Sequence, residues 1–264
     1  MYRPQAGKLQ AVLTLTLLVL VAQIASSAWA EEATATIERV KRSVVAVGTF
    51  ARTRSPQFAF RGTGFIVDDG TLVVTNSHVV PGPPDPNQME VTGILIPQPG
   101  GSPALFREAR EVAKDADVDL ALLKIVGTPL PAVRVGNSDG VKEGQDILIT
   151  GFPIGAMLGP FAATHRGIIA AIAPIAIPQA HSTELNAKTA RRLGAGAFNI
   201  FQLDATAYPG SSGSPVYDPA TGQVIAIINM VLVKGTKEAA FSQPSGISYA
   251  VPAKYIGDLL QKAR

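Results

Sequence analysis

Apolar residues recur along this chain in short β-branched runs, and each run ends in a cluster of turn-forming residues. Val44–Phe50, Gly64–Val67, Leu72–Thr75, Val91–Ile96 and Leu120–Val126 read as strands. Asp68-Asp69-Gly70, the proline-dense Pro81–Pro86 and the loop Pro97–Pro103 punctuate them. Strand-like runs resume at Ile147–Gly151, Ile168–Ile177, Phe198–Leu203, Val224–Ile228 and Ile247–Val251. A polar, helix-capable insert, His181–Arg192, interrupts this second set, and its Arg191-Arg192 pair reads as a solvated face. Helical spacing occurs at Ala35–Arg42, with Ile37 and Val40 on one face, and again at Ala253–Lys262. Many short strands and few helices predict an all-β barrel or sandwich architecture. Residues 127–146 mix Gly, Pro, Asn and Asp without periodicity and divide the strands into two similar halves. Two packed barrels with a site in the cleft between them follow from that division.

Composition narrows the picture. At 264 residues, 47% hydrophobic and only 16% charged, the chain can bury a sizeable core. Residues 1–30 read as a secretory signal: Arg3 and Lys8, an apolar run from Ala11 to Ala22, then Ala28-Trp29-Ala30 as a cleavage site before Glu31. The apolar run is short for a membrane span, so no stable membrane association is expected after cleavage. Removing Arg3 and Lys8 takes the 23 basic residues to 21 against 20 acidic ones, a net charge of +1, which gives no argument for nucleic acid. With no cysteine and three dispersed histidines there is no metal-ligand spacing, and no phosphate-cradling loop points to a nucleotide, so no metal or cofactor is expected.

Three settings could carry chemistry. His78 follows the apolar strand 72–75 and precedes a proline-rich loop, where an imidazole can face a cleft as a general base. Alone, it reads as an ordinary strand-end histidine. Asp119 opens a hydrophobic strand, and an acid entering buried sequence needs a partner. Asp115 and Asp117 lie further from the apolar run and read as solvated. Tyr208-Pro209-Gly210-Ser211-Ser212-Gly213-Ser214-Pro215 can hold a serine hydroxyl clear of the backbone and turn N–H groups inward beside it. A competing motif, Gly136-Asn137-Ser138-Asp139-Gly140, has the G-x-S-x-G form of an α/β-hydrolase elbow, but a strand rather than a helix follows it. Ser138 therefore reads as a turn residue. His165 and His181 sit in loop-like settings without a motif.

In the order His, Asp, Ser, these settings resemble the trypsin-like, chymotrypsin-fold serine proteases, and most closely the protease domain of the HtrA/Deg family. The similar stretches are Gly62–Val67, Thr75–Val80, Asp119–Ile125, Val135–Asp139, Gly151–Gly155, Gln202–Ala205, Pro209–Pro215 and Gly246–Pro252. The resemblance implies two packed antiparallel six-stranded β-barrels, divided as a signal over 1–30, a first barrel with a short helix over 31–135 and a second with a short helix over 136–264. It implies His78 as general base, Asp119 as its orienting carboxylate, Ser212 as nucleophile, and the Gly210 and Ser212 N–H groups as oxyanion hole. Ser211 stands where secreted trypsins carry an acid that pairs with a freshly cut N-terminus, so activation by clipping is not implied. Thr206, Ile228, Asn229 and Met230 fall at substrate-pocket positions; a neutral Thr206 argues against Arg or Lys at P1 and an aliphatic residue is expected. Asp204 matches the family motif and reads as structural.

Protein or peptide substrates, a periplasmic or secreted location and a homo-oligomer are within what the resemblance allows. Two departures stand out. Ser214 replaces an expected glycine, and with the sequence ending at Arg264 the C-terminal peptide-binding (PDZ) domain common in the family is not expected. The expected activity is an endopeptidase that cleaves unfolded or damaged envelope proteins through an acyl-enzyme. The alternative is a latent or inactive trypsin-fold binding or chaperone protein.

Overall fold

The computed structural model describes residue 14 and residues 31–82, 89–98, 100, 102–153, 155, 159, 161–174, 198–229 and 246–263. The proposed signal, apart from Thr14, and the insert 181–192 lie outside them. Residues 31–41 form helix α1. Twelve strands follow: β1 (Val44–Phe50), β2 (Phe58–Val67), β3 (Leu72–Asn76), β4 (Val91–Ile96), β5 (Leu105–Asp115), β6 (Leu120–Ile125), β7 (Asp146–Gly151), β8 (Ala163–Pro174), β9 (Asn199–Asp204), β10 (Pro215–Tyr217), β11 (Val224–Ile228) and β12 (Ile247–Pro252). Helix α2 spans Lys254–Lys262.

The strands close into two antiparallel barrels, β1-β2-β3-β6-β5-β4 and β10-β11-β12-β9-β8-β7. Closure leaves no sheet edge unpaired, which suits a short-stranded chain with no disulfide to staple it. The all-β, two-barrel expectation is met. The pattern missed β5 and β10, started β2 at Gly64 instead of Phe58, and started β8 at Ile168 instead of Ala163, with 175–177 of that run outside the described residues. β5 carries a charge on almost every second or third residue, and β10 is three residues long, so neither presents a clean alternation.

Three apolar clusters result. Val45, Val47, Ile66, Val73, Ile94 and Leu123 fill the first barrel. Ile147, Ile149, Ile169, Leu203, Ile225 and Ile228 fill the second. The third lies on the seam, where Phe65, Leu120 and Leu122 of the first barrel meet Leu148, Phe152, Tyr217 and Val251 of the second. Burying a side chain of this size contributes about 1.5–3 kcal/mol, so the seam resists separation of the halves.

Both helices strengthen the seam by crossing it. α1 leads into β1, yet Thr36 donates to Ala220 C=O (3.4 Å) and Arg39 to Thr221 C=O (3.1 Å) on the β10–β11 turn. α2 follows β12, yet it packs on β5 and β6, with Ile256 and Leu259 buried. Its Lys262 pairs with Asp115 at 2.8 Å. Asp115 is thus not simply solvated. Partial burial alone would raise its carboxyl, but the Lys262 ammonium and the N–H groups of Asp117 and Val118 offset that and hold it below its ordinary value. No described helix is long and apolar enough to cross a membrane.

Candidate active site

The ladder between β3 and β6 sets up the first half of the site. Its register pairs Asn76 with Leu120, so the residues just beyond, Ser77 and Asp119, face each other. The Ser77 N–H donates to Asp119 C=O at 3.0 Å and extends the ladder by one step. Asp119 then departs from strand geometry with φ of 57°, in the left-handed region that aspartate tolerates better than most residues. That turn brings its carboxylate back onto His78. The His78 backbone N–H donates to Oδ1 at 3.0 Å, and ring Nδ1 lies 2.6 Å from Oδ2. Asn229, at the end of β11 in the other barrel, donates its amide to the same Oδ2 at 3.0 Å.

Asp119 therefore has the partners that its place before an apolar strand demands. An ionised carboxylate only accepts, so the Nδ1 facing it carries the proton and the lone pair lies on Nε2. The His78 side chain is 31% exposed against 15% for Asp119, which leaves the ring reachable from solvent while its acid is shielded.

The second barrel brings the serine turn against this pair. The Thr63 N–H of β2 donates to Ser212 C=O at 2.8 Å. The Cβ that Gly62 lacks would lie 2.7 Å from Val79 and 3.0 Å from Ser212 C=O. The residue after His78 and the backbone of Ser212 thus converge on one glycine. Within the turn, Ser211 N–H donates to Tyr208 C=O at 2.9 Å, and the Ser211 hydroxyl accepts from Tyr208 N–H at 3.3 Å. Gly210 has φ of 98° and Gly213 has φ of 87°, values that glycine adopts without steric cost. Neither the Gly210 nor the Ser212 N–H has an acceptor among the described residues. Two unspent donors beside one hydroxyl are what stabilisation of a developing oxyanion requires.

Ser214, the residue standing where glycine was expected, leaves the elbow's backbone bonded: its N–H donates to Ser211 C=O (3.0 Å) and its C=O accepts from Ile228 N–H (2.9 Å). Its side chain occupies space opened by Gly151, where a Cβ would fall 1.9 Å from the Ser214 Oγ. That hydroxyl is buried and has no partner among the described residues. An unsatisfied buried hydroxyl costs about 1–3 kcal/mol. Ser214→Ala keeps the Cβ and removes the cost, so it is expected to raise stability by about 1 kcal/mol, read as a higher urea midpoint at unchanged m-value.

The structure describes three of the four residues placed at pocket positions. Thr206 lines an open groove of about 380 Å³ with Asp146, Arg166, Gly167, Ile168, Asp204 and Ala205, and neither Ser212 nor His78 is part of that lining. The Ile228 side chain lies in the second barrel's core. The Asn229 amide is committed to Asp119, and Met230 lies outside the described residues. Ser138, the competing serine, is buried, and its hydroxyl accepts the Lys254 N–H at 3.0 Å, at the start of α2. His165 sits in β8 beside Tyr208, with ring centroids 6.3 Å apart. His181 lies outside the described residues. No three His, Asp or Glu side chains among the described residues gather into a metal-holding group.

Comparison with known proteins agrees with the two-barrel fold. The trypsin-like peptidase domain model matches residues 62–227. A probable periplasmic serine endoprotease DegP-like from Marinomonas sp. (strain MWYL1) is 31% identical over 196 residues, covering 73% of this chain and 33% of the relative. Magnetosome formation protease MamE from Paramagnetospirillum magneticum (strain ATCC 700264 / AMB-1) is 34% identical over 194 residues, covering 73% of this chain and 22% of the relative. The chain thus spans about a third or less of the length of these relatives. A solved structure of HtrA-type protease AlgW with tripeptide superposes with a TM-score of 0.60 at 26% identity, covering 87% of this chain and 62% of that one. Since the family model matches more than half of the chain, this chain belongs to the trypsin-like peptidase family.

Proposed function

We propose that this chain is a serine endopeptidase acting on protein substrates in the periplasm. His78 is the general base, Asp119 its orienting acid, Ser212 the nucleophile, and the N–H groups of Gly210 and Ser212 the oxyanion hole. The observation that carries this reading is the double grip of Asp119 on His78, through backbone N–H and ring Nδ1, beside a turn whose Gly210 and Ser212 N–H groups have no acceptor among the described residues.

The chemistry follows from those roles. Ser212 Oγ bonds to the scissile carbonyl carbon as its proton moves to His78 Nε2, and the carbonyl electron pair moves onto the oxygen. Collapse of that intermediate breaks the C–N bond, and the leaving amine takes the proton from Nε2. Water then attacks the acyl ester, gives a proton to Nε2, and the carboxylic acid leaves as Ser212 Oγ regains that proton. Asp119 stays ionised throughout and stabilises the imidazolium.

The location rests on residues 1–30 as a signal cleaved after Ala30 and on the periplasmic designation of the DegP-like relatives. Hydrolysis of fluorescently labelled unfolded casein at neutral pH tests the reading. Ser212→Ala is expected to reduce turnover by at least about 10⁴-fold, while Ser138→Ala retains it. Undiminished hydrolysis by Ser212→Ala would refute the nucleophile assignment.

A further inference from the structure

Thr63 belongs to β2 of the first barrel, but its N–H and hydroxyl engage the second. Its N–H donates to Ser212 C=O at 2.8 Å. Its hydroxyl donates to Gly210 C=O at 2.8 Å and accepts from the Phe152 N–H at 3.1 Å. From behind, the Thr75 hydroxyl donates to Thr63 C=O at 2.7 Å. Thr63, Thr75 and Phe152 are all fully buried, so no solvent substitutes for these bonds.

Without the Thr63 hydroxyl, Phe152 N–H and Gly210 C=O would both lose their partner. For Phe152 there is no remedy. Gly210 has one, because its carbonyl can rotate toward the solvated cleft, and no Cβ resists the rotation. Gly210 is the third residue of the turn Tyr208–Ser211, whose Pro at the second position, φ of 98° at the third and closing Ser211-to-Tyr208 bond are those of a type II turn. The Gly210 carbonyl shares a peptide with the Ser211 N–H that closes the turn, so rotating that carbonyl opens the turn and re-aims the Gly210 N–H carried on the central peptide.

We propose that Thr63 is a positioning residue for catalysis. Its hydroxyl pins the oxyanion turn of the second barrel to the barrel that carries His78 and Asp119. Nucleophile, base and oxyanion donors come from two separate barrels, and a misplacement of about 1 Å between such groups can cost about 100-fold in rate. The inference rests on the serine-peptidase reading above.

The test compares Thr63→Val, which keeps shape and backbone N–H but removes the hydroxyl, with the wild type and with Thr63→Ser. Steady-state casein hydrolysis, the rate of covalent labelling by a fluorophosphonate, and thermal melting are measured on each. For Thr63→Val, kcat and the labelling rate are expected to fall together by about 10- to 100-fold while KM stays within about threefold. Thr63→Ser is expected to recover most of the loss. A folded Thr63→Val with wild-type kcat and labelling overturns the proposal, as does a loss confined to KM. Should both Thr63→Val and Thr63→Ala fail to fold, the hydroxyl is a fold determinant and the positioning role is likewise overturned. A wild type that neither labels nor hydrolyses overturns the underlying peptidase reading and the proposal with it, an outcome distinct from an active wild type beside an equally active Thr63→Val.

Discussion

Asp119→Asn is expected to lower kcat for casein hydrolysis by about ten-thousand-fold while the protein stays folded. The carboxylate now accepts three N–H bonds, from the His78 backbone, His78 Nδ1 and the Asn229 amide. An asparagine offers one accepting oxygen and one NH₂ group. With its oxygen at the Oδ1 position it keeps the His78 backbone donor and turns its NH₂ toward the ring and the Asn229 amide. The ring answers by accepting at Nδ1, which moves the proton to Nε2 and removes the lone pair that would deprotonate Ser212. The wrong tautomer, with geometry otherwise preserved, costs about 10⁴ in kcat in enzymes of this mechanism. Asp117→Asn, two residues upstream and outside this network, is expected to keep wild-type kcat. Equal losses in the two variants would mean that general surface charge, not the Asp119–His78 contact, supports activity. Kinetics paired with a circular-dichroism melt separates a chemical loss from an unfolded one.

Gly213→Ala is expected to be the most damaging single-methyl addition to fold stability, at about 4 kcal/mol or more. Two effects combine. At φ of 87° an alanine carries backbone strain of about 1–2 kcal/mol. Its Cβ would also fall 1.9 Å from Thr63 C=O and 2.7 Å from Thr75 Oγ1, two groups of the first barrel already bonded to each other. Neither the Thr63 backbone nor the turn can retreat without breaking the contacts that join the barrels. A loss of that size is a large share of the 5–15 kcal/mol typical of a folded domain. Gly144 supplies the control: its φ is 82°, but nothing lies within 4 Å of its missing Cβ. Gly144→Ala should cost only the backbone term, about 1 kcal/mol. Urea unfolding of the pair isolates the collision, and similar midpoints for both would show that the turn is not packed against Thr63.

The proposed site residues are legible in the sequence because each sits in a local setting with its own signal. His78 closes an apolar run, Asp119 opens one, and Ser212 lies between glycines. The order of the strands also followed from turn punctuation. What escaped were roles that exist only across the seam. Asn229 follows the apolar run of β11 and looked like a pocket wall, but its amide crosses to Asp119. A signal was available, since a shielded carboxylate needs several donors and a histidine supplies only part of them. Thr63 looked like one residue of a G-T-G strand, and its link to Gly210 spans 147 positions. β5 escaped because its residues 107–111, Arg-Glu-Ala-Arg-Glu, are mostly charged, although the strand pairs on both sides. Asp115 reads as a solvated acid in sequence because its partner, Lys262, is contributed by the helix at the far end of the chain.

Covalent labelling of the mature protein by a fluorophosphonate at neutral pH, with the modified peptide mapped by mass spectrometry, tests the central claim most directly. Phosphonylation requires a hydroxyl activated by its base and donors that stabilise the oxyanion. The expected result is a single adduct on Ser212, absent from Ser212→Ala and strongly slowed in Asp119→Asn. An unlabelled wild type, or an adduct on Ser211, Ser214 or Ser138 in place of Ser212, would contradict the account.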